Sequence, residues 1–188
     1  MKLIHSEYLD PDTRDTLCRF FHSKTMFGAN LLAAGMTEDS WCKSCLRESD
    51  PNNPCEVVER VLHASYDCPS VMRVRLQVMH ELDLLDNNIP TNPGSVVLAT
   101  VISNTKDNRN LSELINIVWA LTLNGVLKAR NAQKTVRADL VIKEIKLVLS
   151  HILRVKPNST LSTTVRDRNM EHLLDRAFIP HVIGNGLD

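Results

Sequence analysis

The chain is poor in aromatic residues: four Phe, two Trp and two Tyr make up only 4% of its 188 residues. Its core must therefore be built mainly from Leu, Val, Ile and Met. This composition favours helices, because β-sandwiches and barrels depend on aromatic and β-branched strands. A chain of this length suits one domain with a sizeable core. We predict an all-α fold.

Long apolar runs and an excess of one charge are also missing. No stretch approaches the roughly 20 apolar residues that span a bilayer, and "MKLIHSEYLDPD" lacks the apolar region of a signal peptide. These absences predict an intracellular protein, nuclear or cytoplasmic, without a membrane partner. Lys plus Arg and Asp plus Glu number 22 each, so only local charge clustering could attract nucleic acid.

The common signatures of enzymes are absent as well. The sequence contains no glycine-rich phosphate loop, no G-x-S-x-G and no paired-aspartate polymerase motif. It also lacks the spaced acidic residues of a ribonuclease H or an endonuclease, and the H-x-E with P-C-x-x-C of zinc deaminases. We therefore predict that the protein is not an enzyme.

Apolar residues at helical spacing predict six or seven helices and no strand. The predicted helices cover Asp10 to His22, a short turn before Gly35, residues 55–67, 70–85, Leu111 to Lys134, Val136 to Val155, and Thr163 or Thr164 to Phe178. Ser70 is the candidate N-cap of the fourth. The apolar stripes predicted to face inward include Val71, Val74, Val78 and Leu82; Leu114, Ile117, Val118 and Leu121; and Leu140, Ile145, Val148, Leu149 and Ile152. A further short apolar segment, "SVVLATVISN", is also more typical of a helix. The turn formers in "DNNIPTNPG" predict a division into residues 1–86 and 87–188, packed together as one domain.

Four of the five cysteines lie in one loop-rich stretch. Cys42 and Cys45 form a C-x2-C, and His63 and Cys68 form an H-x4-C. Cysteines in a reducing compartment are not expected to pair, and an odd cysteine count argues against a disulfide framework. Three thiolates and one imidazole are a common structural zinc set. We predict a structural Zn²⁺ that cross-links this insert. Cys55 is either an alternative ligand or a buried thiol.

Four protein ligands would complete the coordination shell of the zinc, whereas a catalytic zinc keeps one coordination position for water. Glu59 precedes His63 by four residues, giving E-x3-H and not the H-E-x-x-H of metalloproteases. Glu59 is therefore expected at the surface or beside the ligands. Two alternatives remain: a zinc hydrolase that uses Glu59, and a chance grouping of core cysteines.

The run from "FHSKTMFGANLLAAGMTEDSWCKSC" to "EVVERVLHASYDCP" resembles the zinc-binding module that follows the reverse transcriptase of non-LTR retrotransposons. Glu59, His63 and Cys68-Pro69 match its second half, and Trp119 with Lys128-Ala-Arg130-Asn131 is similar to its later helix. The match covers roughly residues 18–131. The resemblance implies a zinc module that supports nucleic-acid handling or the fold of a neighbouring polymerase. The chain departs from the family in its longer loop, its extra cysteine and its lack of a polymerase.

Basic residues concentrate between Val126 and Lys156. Residues 126–156 contain eight basic against two acidic residues, whereas residues 42–69 contain three basic against five acidic. Nucleic-acid contacts are thus expected downstream of the cysteines. The candidates are Lys128, Arg130, Lys134, Arg137, Lys143 and Lys146. The alternative is the solvated face of an amphipathic helix.

Together these patterns predict a non-enzymatic zinc-binding domain that supports binding to RNA or DNA, or to a reverse transcriptase or other polymerase-type partner. The alternative is a helical protein-interaction module in which the zinc site is purely structural. Measuring nucleic-acid binding at low and high salt separates the two.

Overall fold

A computed structural model of the protein describes residues 7–22, 25, 27–82 and 106–167. Within these ranges the chain is mostly helical and contains no sheet, which confirms the predicted all-α class. The helices are α1 (Pro11–Phe21), α2 (Gly28–Ala33), α3 (Lys43–Glu48), a π turn (His63–Asp67), α4 (Pro69–Glu81), α5 (Lys106–Asn131), α6 (Ala138–Val155) and α7 (Thr160–Asp167). No described helix has the length and apolar character that a membrane crossing requires.

Helix α5 is the centre of the fold, because it contacts α1, α4, α6 and α7. The predicted stripe of Leu114, Ile117, Val118 and Leu121 is almost completely buried along it. Helix α4 buries its predicted stripe in the same way, with Val74 and Val78 facing inward. In both helices the three- to four-residue spacing of apolar side chains predicted the buried face correctly.

The prediction of a helix over residues 55–67 is wrong in its first half. Residues 57–59 are extended and pair with residues 40–42: Cys42 N donates to Val57 O at 2.8 Å, and Glu59 N donates to Ser40 O at 2.8 Å. Their backbone groups are therefore satisfied across the insert instead of within a helix. Helical structure begins only at Val61 and continues into the π turn. Helix α4 then begins at Pro69 with Cys68 as its N-cap, and not with Ser70 in that place.

Two details of the C-terminal helices also differ from the prediction. On α6, Leu140 is 54% exposed although it was expected inside, because the buried stripe runs through Val141, Ile145 and Leu149. Helix α7 begins at Thr160, where Ser159 Oγ accepts the Ser162 N–H, and not at Thr163 or Thr164. The remainder of that predicted helix, to Phe178, the segment "SVVLATVISN" and the division at residues 86/87 lie outside the described residues.

The cysteine-rich insert belongs to the same hydrophobic core as the helices. Cys42, Cys45 and Cys68 are buried in one cluster with residues of α1, α4, α5 and α6. The end of α5 is also tied to the insert. Gln133 adopts a left-handed backbone (φ 53°) just after α5, and Arg47 of α3 donates to its carbonyl at 2.9 Å. The last turn of α5 therefore lies against the C-x2-C segment.

Candidate metal centre

The four predicted ligands come from two short elements that the extended pairing holds side by side. Cys42 is the N-cap of α3 and Cys45 lies in its first turn, so both thiols are on one tight turn. His63 begins the π turn and Cys68 follows it, with Cys68 N donating to His63 O at 2.9 Å. The wider π geometry closes five residues into one turn and brings both side chains to the same point.

The four ligand atoms form one group, all within 4.8 Å of one another. Cys68 Sγ lies 3.9 Å from Cys42 Sγ and 3.8 Å from Cys45 Sγ, and Cys45 Sγ lies 3.3 Å from His63 Nε2. A tetrahedral ion with metal–sulfur bonds of about 2.3 Å requires sulfur–sulfur separations of about 3.8 Å. Sulfurs at these distances are also too far apart for a disulfide bond. The arrangement therefore fits a tetrahedral metal ion.

Hydrogen bonds within the buried cluster explain why the pKa values of its thiols differ in direction. The hydrogen bond to Cys68, with burial, raises the pKa of Cys42 to about 11, and burial beside Cys42 raises the pKa of Cys45 to about 11. Cys68 accepts hydrogen bonds from Cys42 and from the Ser70 hydroxyl, and its pKa is lowered to about 7. Without a metal, the cluster thus concentrates one negative charge on Cys68.

Metal binding must displace the protons of the remaining thiols, so affinity should rise with pH. At pH 8, with Cys68 ionised and Cys42 and Cys45 protonated, a divalent metal ion that binds all three thiolates should release about two protons. Affinity should then increase about 100-fold per pH unit, and more steeply below pH 7, where Cys68 also holds its proton. Proton release in lightly buffered solution and chelator competition measure this slope. A constant affinity from pH 6 to 8 would contradict it.

Cys55 is not part of the group that could hold a metal within the described residues. It is half-buried, packs against the core, and lies close enough for its charge to contribute to the raised pKa of Cys45. The structure therefore places Cys55 beside the four-residue cluster, as a neighbouring thiol.

Glu59 is enclosed beside the cluster, with its carboxylate only 12% exposed. One carboxylate oxygen accepts the Gly28 N–H at 2.9 Å, and the other forms an ion pair with Arg130. Gly28 is needed at this contact, since a Cβ there would lie 2.6 Å from Ser40 O. Both oxygens of Glu59 thus have partners, which leaves this residue poorly suited to act as a general base.

Arg130, which the sequence predicted as a nucleic-acid contact, is enclosed beside the cysteine–histidine cluster. Its guanidinium is 9% exposed, lies over the Phe27 ring at 5.8 Å, and reaches the Cys42 thiol as well as Glu59. Burial lowers the pKa of Arg130, and the nearby thiols of Cys42 and Cys45 oppose that change. The only signal in the sequence was the K-x-R-N-like end of α5, which carries no information on its partner.

The other predicted nucleic-acid contacts are spread over the end of α5 and the first half of α6. Lys128 is exposed near Asp10; burial of Asp10 is outweighed by hydrogen bonds from Thr13 and by the Lys128 charge, so the pKa of Asp10 is lowered. Arg137 is exposed and pairs with Asp139. Lys134 and Lys143 are exposed and Lys146 is half-buried. The side chain of Arg130 is thus almost buried, whereas the five other candidates are exposed or half-buried.

The chain was compared with protein-family models, curated proteins and solved structures, and none of them matches it.

Proposed function

We propose that the protein is a non-enzymatic zinc-binding domain. Zn²⁺ held by Cys42, Cys45, His63 and Cys68 would fasten the insert to the helices. The single observation that carries this proposal is the tetrahedral spacing of four buried or half-buried N and S atoms. Three thiolates and one imidazole suit zinc better than harder divalent ions, which take oxygen ligands. Four protein ligands leave no position for a catalytic water.

Metal analysis of the purified protein tests this proposal directly. We expect one zinc per chain after dialysis against metal-free buffer, and loss of helicity when a strong chelator removes it. A wild-type protein that is folded and free of metal would overturn the proposal. Bound iron in place of zinc would leave the ligand set intact and change the identity of the ion.

We further propose that the domain supports nucleic-acid binding or a polymerase-type partner, in the manner of the reverse-transcriptase-associated zinc module that it resembles. Two features support this role: the Glu59-x3-His63-x4-Cys68-Pro69 pattern, and the basic residues of α6 and of the turn before it. The proposed basic surface consists of Lys134, Arg137, Lys143 and Lys146, which follow the acidic insert in the sequence.

Removing two of these charges should reduce both nucleic-acid affinity and its salt dependence. Each lost phosphate contact lowers the slope of log K against log[salt] by about 0.7 for single strands and 0.9 for duplex. Lys143→Ala with Lys146→Ala should therefore lower the slope by about 1.5, measured by fluorescence anisotropy between 50 and 200 mM salt. The matched control, Arg19→Ala with Lys43→Ala, removes two exposed cations from α1 and α3. Equal slopes for both variants would contradict the proposed surface.

A protein-interaction module is the second candidate, and one observation favours it. Leu140, Leu147 and Val155 are exposed on α6 by 54%, 37% and 55%. Apolar side chains on the same helix as the lysines suit a partner that is acidic and amphipathic better than a phosphate backbone. Absence of RNA and DNA binding at about 50 mM salt, where phosphate contacts are strongest, would select this candidate.

A further inference from the structure

Arg130 comes from the last turn of α5, yet its guanidinium lies inside the cysteine-rich insert. Three groups surround it there: the Glu59 carboxylate, the Cys42 thiol and the face of the Phe27 ring. With only 9% of its side chain exposed, Arg130 has exchanged most of its hydration for these contacts. A buried arginine is costly unless its charge is met, so a carboxylate and a thiol at one guanidinium indicate a specific arrangement.

The charge of the metal centre explains why a cation is needed at this position. Zn²⁺ with three thiolates and a neutral imidazole carries one net negative charge. The buried carboxylate of Glu59 adds a second one nearby. Without Arg130, the two anions would repel each other in an environment with little water to screen them. Arg130 pairs with Glu59 and interacts with Cys42, and it can donate to both because a guanidinium offers five N–H groups in a fixed fork.

We propose that Arg130 is a positioning residue of the metal centre, which donates a hydrogen bond to Cys42 Sγ and, through Glu59, fixes the end of α5 to the insert. This inference rests on the proposed zinc site. A hydrogen bond to a metal-bound thiolate withdraws electron density from sulfur and shields it from reagents. Arg130 therefore slows both loss of the metal and attack on Cys42 by electrophiles. Neighbours that orient ligands in this way commonly contribute 10–100-fold to metal affinity.

A substitution at Glu59 distinguishes the contact of Arg130 with Cys42 from the ion pair of Arg130 with Glu59. Glu59→Gln removes the anion, but its amide oxygen can still accept the Gly28 N–H, and Arg130 keeps Cys42 as a partner. Arg130→Met fills a similar volume without charge or donors. Arg130→Lys keeps the charge but loses the fork that spans two acceptors. The double variant Glu59→Gln/Arg130→Met removes both charges and so avoids leaving a buried carboxylate unpaired.

The experiment compares these variants as full-length zinc-loaded and cobalt-loaded proteins. For Arg130→Met and for the double variant we expect zinc affinity to fall about 10–100-fold. Alkylation of the bound thiolates by iodoacetamide should accelerate to a similar extent, and the sulfur-to-cobalt charge-transfer band should shift to lower energy. Glu59→Gln should stay close to wild type in all three measurements, and Arg130→Lys should fall between. Circular dichroism of each variant establishes that it is folded.

The outcomes distinguish the inference from the proposed function on which it rests. A wild-type protein that binds no zinc would overturn the proposed function. A wild-type protein that binds zinc, with a folded double variant whose affinity, alkylation rate and cobalt spectrum are unchanged, would overturn only the role of Arg130. Equal effects of Glu59→Gln and Arg130→Met would also overturn it, since they would show that the ion pair matters and the thiolate contact does not.

Discussion

Replacing Cys45 with serine should abolish zinc binding and lower the free energy of unfolding by about 3 kcal/mol or more. Cys45 Sγ lies 3.3 Å from His63 Nε2 and 3.8 Å from Cys68 Sγ, so it joins the two halves of the cluster. Structural zinc sites in finger peptides have apparent binding free energies of about 10–16 kcal/mol at neutral pH, and this binding contributes directly to folding. The measurements are zinc content by atomic emission and urea unfolding followed by circular dichroism.

Cys55→Ser is the matched control, because it makes the same chemical change in the same insert. Cys55 is half-buried and lies outside the four-residue group, so zinc content should stay at one per chain and stability should change by less than about 1 kcal/mol. The reverse pattern, with zinc lost from the Cys55 variant and kept by the Cys45 variant, would show that the ligand set includes Cys55 in place of Cys45.

Loss of zinc should also act on different parts of the molecule to different extents. The insert between residues 41 and 68 has few helical hydrogen bonds of its own, and its segments pair through only a few backbone contacts. Helices α5 and α6 instead bury Leu121, Ile145 and Leu149 in extensive apolar contacts. We therefore expect removal of the proposed metal to loosen the insert first and to lower helicity through the core that the insert shares with the helices.

The grouping of Cys42, Cys45, His63 and Cys68 could be predicted from sequence because its information is local. A C-x2-C places two thiols on one turn, and H-x4-C places the others around a single turn, so spacing alone nearly fixes each pair. The buried faces of α4 and α5 were predictable for the same reason, since a helix repeats its burial every three to four residues. In each case the residues that matter are neighbours along the chain.

Where the prediction was wrong, the determining contacts are distant in sequence. Val57 and Val58 have a spacing compatible with a helix, yet β-branched residues also suit extended backbone, and pairing with residues 40–42 decides between the two. Arg130 presents the same difficulty. Its positive charge suggested an exposed position. Nothing near Arg130 in the sequence indicates its burial, because its partner, the Glu59 carboxylate, lies on a different element. Burial of a charge depends on a partner that no local pattern reveals.

The close packing of α5 against α6 depends on Gly125. A large side chain at this position should have the second large effect on the free energy of unfolding. A Cβ on Gly125 would lie 2.7 Å from Val141 Cγ2, closer than side chains normally come. Val141 is 4% exposed and β-branched, so it has little freedom to turn away. Gly125→Leu should therefore force the two helices apart and lower the free energy of unfolding by about 3 kcal/mol, measured by urea denaturation. Zinc content should remain at one per chain, because neither residue is a ligand.

Alanine at the same position tests whether Val141 is the cause. In the wild-type background, Gly125→Ala should cost about 1 kcal/mol, because the clash outweighs the higher helix propensity of alanine. In a Val141→Ala background the obstructing methyl group is gone, so the same change should stabilise the protein by about 1 kcal/mol. The expected coupling between the two sites is thus about 2 kcal/mol, within the range for residues in direct contact. If Gly125→Ala has the same effect in both backgrounds, the close approach of the helices is not governed by this contact.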